Sequence, residues 1–153
     1  MKRKYWLMKS EPSAYSISDL ERENVTCWDG VRNYQARNFM RDDMQKGDGV
    51  LFYHSNIVPP GIAGEAVIAK TSYSDYTAWD PKDPHYDPKS RRERPTWFMV
   101  DVQFVRKCRE IITLAQLKET DGLEGMEVVK RGSRLSVTPV SQEAWNIIMR
   151  KFR

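Results

Sequence analysis

The run Trp97 to Val105 (WFMVDVQFV) constrains this chain more than any other segment. Phe98, Val100, Val102 and Phe104 fall on one face of an extended backbone, and Met99, Asp101 and Gln103 on the other. That alternation predicts a strand with one apolar face. Other short β-prone runs flank it: Tyr5 to Met8, Val50 to His54, Ile62 to Ala69 and Arg134 to Val137. Turn signals separate them at Ser10-Glu11-Pro12, Asp29-Gly30, Gly47-Asp48-Gly49 (read as a hairpin turn) and Pro59-Pro60-Gly61. Helix signals are brief. Ser18-Asp19-Leu20-Glu21 has the capping-box pattern, and Arg32 to Asp42 lacks Gly and Pro. Thr113-Leu114-Ala115-Gln116 predicts a short capped helix. Ser141 caps a last one, whose Trp145, Ile148, Met149 and Phe152 form a packing stripe. Five or six strands and four short helices without a βα rhythm predict an α+β fold. The expected form is a small, mostly antiparallel β-barrel decorated by short helices, in a single domain over 1–153.

Composition narrows the function classes. With 153 residues, 40% hydrophobic and 30% charged, the chain is long enough for one real core. No apolar run approaches the ~20 residues that cross a membrane. The basic Met1 to Lys4 is followed by an apolar stretch that stops at Met8, unlike a signal peptide. Two cysteines cannot staple a secreted scaffold, so a reducing, cytoplasmic setting is expected. The net charge of +4 permits a nucleic-acid partner without demanding one. A monomer is compatible with all of this. No Gly-rich phosphate loop is present, and Cys27, Cys108, His54 and His85 match no zinc spacing. No cofactor, no metal and no catalytic constellation are expected. Both cysteines read best as small packing residues.

The segment Cys27 to Arg41 (CWDGVRNYQARNFMR) interleaves aromatics, amides and arginines. Tyr34 and Asn38 share a helix face, as do Arg37 and Arg41, while Arg32 and Asn33 sit near the helix start. Rings stack on bases, amides read base edges and guanidinium forks hold phosphate, so this pattern suits a nucleotide. It suits a solvated amphipathic helix equally well. Tyr53, His54, Ser55 and Asn56 place polar groups at a strand end, where they line a mouth more often than a core. The loop Thr71 to Pro95 carries four prolines and the aromatics Tyr73, Tyr76, Trp79 and Tyr86. It is either a flap over a ligand or a cover for the barrel. The run Arg91-Arg92-Glu93-Arg94 reads as a solvated loop.

Several segments resemble the EVE domain, a family of small bacterial proteins and eukaryotic nuclear ones. They are YWLMKSEP from Tyr5, WDGVRNYQARN from Trp28, YHSN from Tyr53, PGIAGE from Pro60, DPKDPHYDP from Asp80, Trp97 to Val105, and RGSRLSVTP from Arg131. The eukaryotic members carry a basic extension. This chain starts almost at the first strand, which reads as the bare bacterial form. The resemblance implies a PUA-like fold and non-enzymatic binding of DNA or RNA that carries a modified base. Carried over by position, it implies a pocket from Lys9, Ser10, Trp28, Asn33, Tyr34, Arg37, Asn38, Tyr53, His54 and Ser55. Trp79 and Tyr86 would form a flap, and Arg32 would join Lys9 and Arg37 on the backbone phosphates. In the expected mechanism a modified base leaves its stack, at a cost of a few kcal/mol, and stacks on Trp28 or Tyr34 for ~1–3 kcal/mol. Two rivals stay open. One is an enzyme acting on a nucleobase or nucleoside through His54 and Glu11. The other is a protein-interaction module using Tyr73 to Tyr86.

Overall fold

The computed structural model describes residues 2–152. Six strands form one mixed sheet: β1 (Tyr5–Ser10), β2 (Val25–Cys27), β3 (Gly49–His54), β4 (Gly61–Ser74), β5 (Phe98–Thr113) and β6 (Val137–Val140). Their order across the sheet is β2-β5-β4-β3-β1-β6. Every pairing is antiparallel except β1 with β3, where Tyr5 faces Gly49 and Ser10 faces His54. Four helices cover it: α1 (Ile17–Glu23), α2 (Tyr34–Asn38), α3 (Leu114–Glu119) and α4 (Gln142–Lys151).

Period-two alternation sorts the strands into two cores. Trp6, Met8, Val50, Phe52, Ala66, Ile68 and Val102 face Ile17 and Leu20 of α1 and Ala36 of α2. Leu7, Leu51, Tyr53, Ile62 and Ile112 point the other way, onto Leu117 of α3 and Trp145 and Ile148 of α4. Each fully buried Leu, Ile or Phe contributes about 1.5–3 kcal/mol, so both layers matter.

The structure moves several expected boundaries. Helix α1 starts two residues early, with Ser16 as cap and Asp19 closing the box, so Ile17 enters the core at the first position. Helix α2 starts at Tyr34, not Arg32, because the Asn33 side chain caps it by accepting from the Ala36 N–H at 3.0 Å. It then widens into a π-helical turn over Phe39–Asp43. Strand β5 is 16 residues long, and Met99 is fully buried with Val100 in one core. The register slips between Ile68, Lys70 and Tyr73 of β4 break the simple alternation there. The last strand is Val137–Val140, not Arg134–Val137. It lies at the sheet edge, where Pro139 needs no ladder N–H. The caps at Thr113 and Ser141 stand where the sequence puts them.

Gly47-Asp48-Gly49 is not a hairpin turn, since the strand it feeds pairs in parallel with β1. Asp48 is the reason for the turn. Its buried carboxylate accepts from Lys4 N–H at 3.1 Å, Trp6 Nε1–H at 3.0 Å and Gln45 N–H at 2.9 Å. Removing it strands three donors. Asp48→Ala is expected to lower the unfolding free energy by about 2–4 kcal/mol, read as a shift in the urea midpoint, with Asp48→Asn milder because one acceptor survives.

Candidate nucleic-acid interface

The Asn33 cap sets α2 so that Tyr34 stands outward, 61% exposed. Its ring stacks on Trp97, with centroids 4.9 Å apart and planes at 28°. Trp97 is buried and fixed by its Nε1–H, which donates to Asp87 Oδ2 at 2.7 Å. The Arg37 guanidinium lies 4.9 Å from the Tyr34 ring centre and 5.9 Å from that of Trp97. It donates to the Thr96 carbonyl at 2.8 Å and to Asn38 Oδ1 at 2.8 and 3.0 Å. Burial, then the charge of Arg41, pulls Arg37 below the usual guanidinium range, and it stays cationic at neutral pH. The amide oxygens of Asn33 and Asn38 are thus engaged. Their NH2 groups make no hydrogen bond among the described residues and are free to donate to a ligand.

Arg32 does not join this surface as a phosphate contact. Its five N–H groups are directed to the His85 carbonyl at 3.0 and 2.8 Å, the Val31 carbonyl at 3.0 Å, Asp75 Oδ2 at 2.9 Å and Thr77 Oγ1 at 3.3 Å. Asp75 is 1% exposed and also accepts from Gly30 N–H at 2.8 Å and Thr77 N–H at 3.0 Å. Burial pushes its carboxyl up, but the bonds from Thr77, Gly30 and Arg32 outweigh that and hold it below the ordinary value. Gly30 has φ +79°, and a Cβ there would lie 2.5 Å from the His85 ring. The loop before α2 and the segment Tyr76 to Asp87 are therefore locked together.

Trp28 is also not an open stacking face. It is 8% exposed and meets Phe52 edge-on at 5.4 Å, within the core. Of the two rings expected to stack on a base, Trp28 lies in the core and Tyr34 stands outward on Trp97. At the head of an apolar run, Trp97 reads as core from the sequence, and the structure places it beneath the exposed Tyr34 ring. In the flap region Tyr86 is 41% exposed, and Trp79 lies half-buried beneath Arg92, 5.2 Å from its ring centre.

The strand-end residues do not form one pocket, because the sheet separates them. Ser10 and His54 lie on the α1 side. Ser10 Oγ donates to the Tyr15 carbonyl at 2.5 Å, and its own carbonyl accepts from Ser55 N–H at 3.0 Å. His54 Nε2 accepts from Ile17 N–H at 3.1 Å, with its ring 5.7 Å from that of Phe52. Lys9 and Tyr53 lie on the α3–α4 side, with Lys9 Nζ 6.0 Å from the Tyr53 ring centre. Burial pulls the Lys9 ammonium below its usual value, partly offset by Glu127, and burial pushes the Tyr53 phenol up.

His54 must be neutral to accept from Ile17. Burial first, and Lys107 second, depress its pKa. The unfolded chain therefore binds the proton more readily. The His54 contribution is fully present above the ordinary value of about 6.5 and is lost as pH falls towards the depressed value in the folded chain. Urea titrations between about pH 7 and pH 5 should show stability falling with a slope of up to about 1.4 kcal/mol per pH unit, and His54→Gln should flatten that slope.

A family model described as the EVE domain matches residues 4–151. Human thymocyte nuclear protein 1 is 46% identical over 164 residues, covering 95% of this chain and 72% of that protein. A solved protein from Pseudomonas syringae superposes with a TM-score of 0.94 at 48% identity, over 97% of this chain and 99% of that one. The human THYN1 protein, solved in complex with 5-methylcytosine-containing DNA, superposes with a TM-score of 0.91 at 43% identity, over 98% of each chain. The architecture is the PUA-like α+β fold that the motifs implied. With its motifs, its sheet and the match over residues 4–151 in agreement, the chain belongs to the EVE domain family.

Proposed function

We propose that this chain is a non-enzymatic nucleic-acid-binding module that recognises a modified base, with 5-methylcytosine in DNA as the leading ligand. The observation that carries the reading is the match, over 98% of each chain, to a human protein solved with 5-methylcytosine-containing DNA. The geometry supports it with an exposed ring already stacked on a second ring beside a guanidinium. An extruded base would lie on Tyr34, where stacking returns ~1–3 kcal/mol against the cost of leaving its own stack. The donor NH2 groups of Asn33 and Asn38 suit the acceptor edge of a cytosine. A base that offers donors there leaves them unpaired, which selects cytosine, while the 5-methyl group is distinguished by its added apolar contact on the Tyr34 ring. Arg37 supplies the positive field next to the stack.

The enzymatic alternative is weaker. His54 Nε2, the lone pair a general base would use, already accepts from Ile17. Burial raises both cysteine thiols, Cys108 to about 11, so neither is an activated nucleophile. The reading of a cytoplasmic protein of bacterial type, with modified RNA as the second polymer, belongs to the same proposal.

Fluorescence anisotropy with matched DNA probes, methylated and unmethylated, and a modified RNA probe tests it. The intact chain should prefer the methylated DNA. Tyr34→Ala should lose about tenfold in affinity for that probe and most of the preference. Equal affinity of the intact chain for every probe at ordinary salt would contradict the reading.

A further inference from the structure

Strands β4 and β5 do not pair evenly. Gly64 faces Lys107 and Ile62 faces Ile112, so a step of two residues along β4 corresponds to five along β5. Cys108 to Ile111 stand opposite Ala63 alone, a surplus of three residues that β5 takes up as a large bulge. Cys108 anchors its base, with Sγ 3.5 Å from the Ile62 carbonyl. Between this arch and the end of α4 lies a concavity of about 770 Å³, lined in part by Arg106, Lys107, Arg109, Glu110, Lys151 and Phe152.

Four of the charged groups there are basic and Glu110 is acidic; with Glu65 paired to Arg106, a surplus of two positive charges remains. Crowding like charges in a concavity is unfavourable for an isolated fold and raises the local potential for an anion. Two of the four are already positioned by the protein. Arg106 donates to Glu65 at 2.8 Å and lies 4.4 Å from the Phe152 ring centre, while Lys107 Nζ donates to Ser18 Oγ at 2.8 Å. Arg109 and Lys151 are exposed and make no ion pair among the described residues. Arg106 covers the one aromatic ring, which leaves nothing for a base to stack on. The site therefore suits phosphate rather than a nucleobase.

We propose that the arch of β5 is a second nucleic-acid contact, separate from the base-reading surface, that holds the phosphodiester backbone. It rests on the reading of this chain as a modified-base binder and adds affinity without reading sequence or modification. Phosphate contacts of this kind release counterions, and each contributes about one unit to the slope of log affinity against log salt.

The test is anisotropy of the full chain with methylated and unmethylated duplexes over a range of salt, using Arg109→Ala, Lys151→Ala and the double substitution. Both side chains are exposed, and a thermal melt confirms that the variants fold. The slope should fall by about one unit for each single substitution and about two for the double. Both probes should weaken by the same factor, leaving the methylation preference intact. Tyr34→Ala should do the reverse, losing the preference and keeping the slope. Lys46→Ala, an exposed lysine outside the arch, serves as the control for net charge, and its slope should change less. An unchanged slope in the double variant would overturn the backbone contact while leaving the base-reading proposal standing. Loss of the preference in the unmutated chain, with the slope still falling in the variants, would overturn base reading and leave the backbone contact. Calorimetry with pyrophosphate adds one arm: binding abolished by the double substitution, with no change in the DNA slope, would make the arch a small-anion site and overturn the backbone contact.

Discussion

The candidate surface depends on one buried carboxylate. Asp75 carries its charge at 1% exposure, where an unpaired ion would cost several kcal/mol. The chain meets that cost by folding around it, with Arg32, the Gly30 N–H and Thr77 all donating. Arg32 extends the tie to the His85 carbonyl, so the loop before α2 and the proline-rich segment become one unit. Asp87, in that same segment, fixes the Trp97 indole, and Trp97 carries Tyr34. Without the Asp75 cluster, the exposed stack would have no fixed floor.

The sheet supplies the second constraint. Its two faces are both covered, so each strand delivers successive residues into different cores. Ser10 and His54 end up with α1, while Lys9 and Tyr53 end up near Glu127 and α4. Neighbours in sequence are separated by the full thickness of a sheet. A ligand held by the α2 surface therefore engages a subset of the motif residues, and the others maintain the scaffold. Conserving the scaffold and presenting the surface are separate tasks that share one stretch of sequence.

Much of this was legible in the sequence, and the misses share a physical cause. Local signals served well: the caps at Thr113 and Ser141 and the stripe of Trp145 and Ile148 are each set within one or two turns of a single helix. Long-range contacts were invisible. Arg32 reads as a phosphate ligand until Asp75, 43 residues away, absorbs it. Trp28 and Trp97 are chemically identical, and only the tertiary structure shows that one meets Phe52 in the core and the other supports Tyr34. The separation of Lys9 from Ser10 was within reach, since period-two alternation predicts it. The arch of β5 was not, because a bulge is a mismatch between two strands and neither strand reveals it alone.

On the proposed reading, a modified base lands on the Tyr34–Trp97 stack. Nuclear magnetic resonance gives the most direct test, since Trp97 has one indole N–H among only five tryptophans. On titration with a 5-methylcytosine oligonucleotide, the Trp97 indole signal and the side-chain amides of Asn33 and Asn38 should shift together, while the buried Trp145 indole stays in place. A complex that forms with all three of those signals unmoved would contradict it.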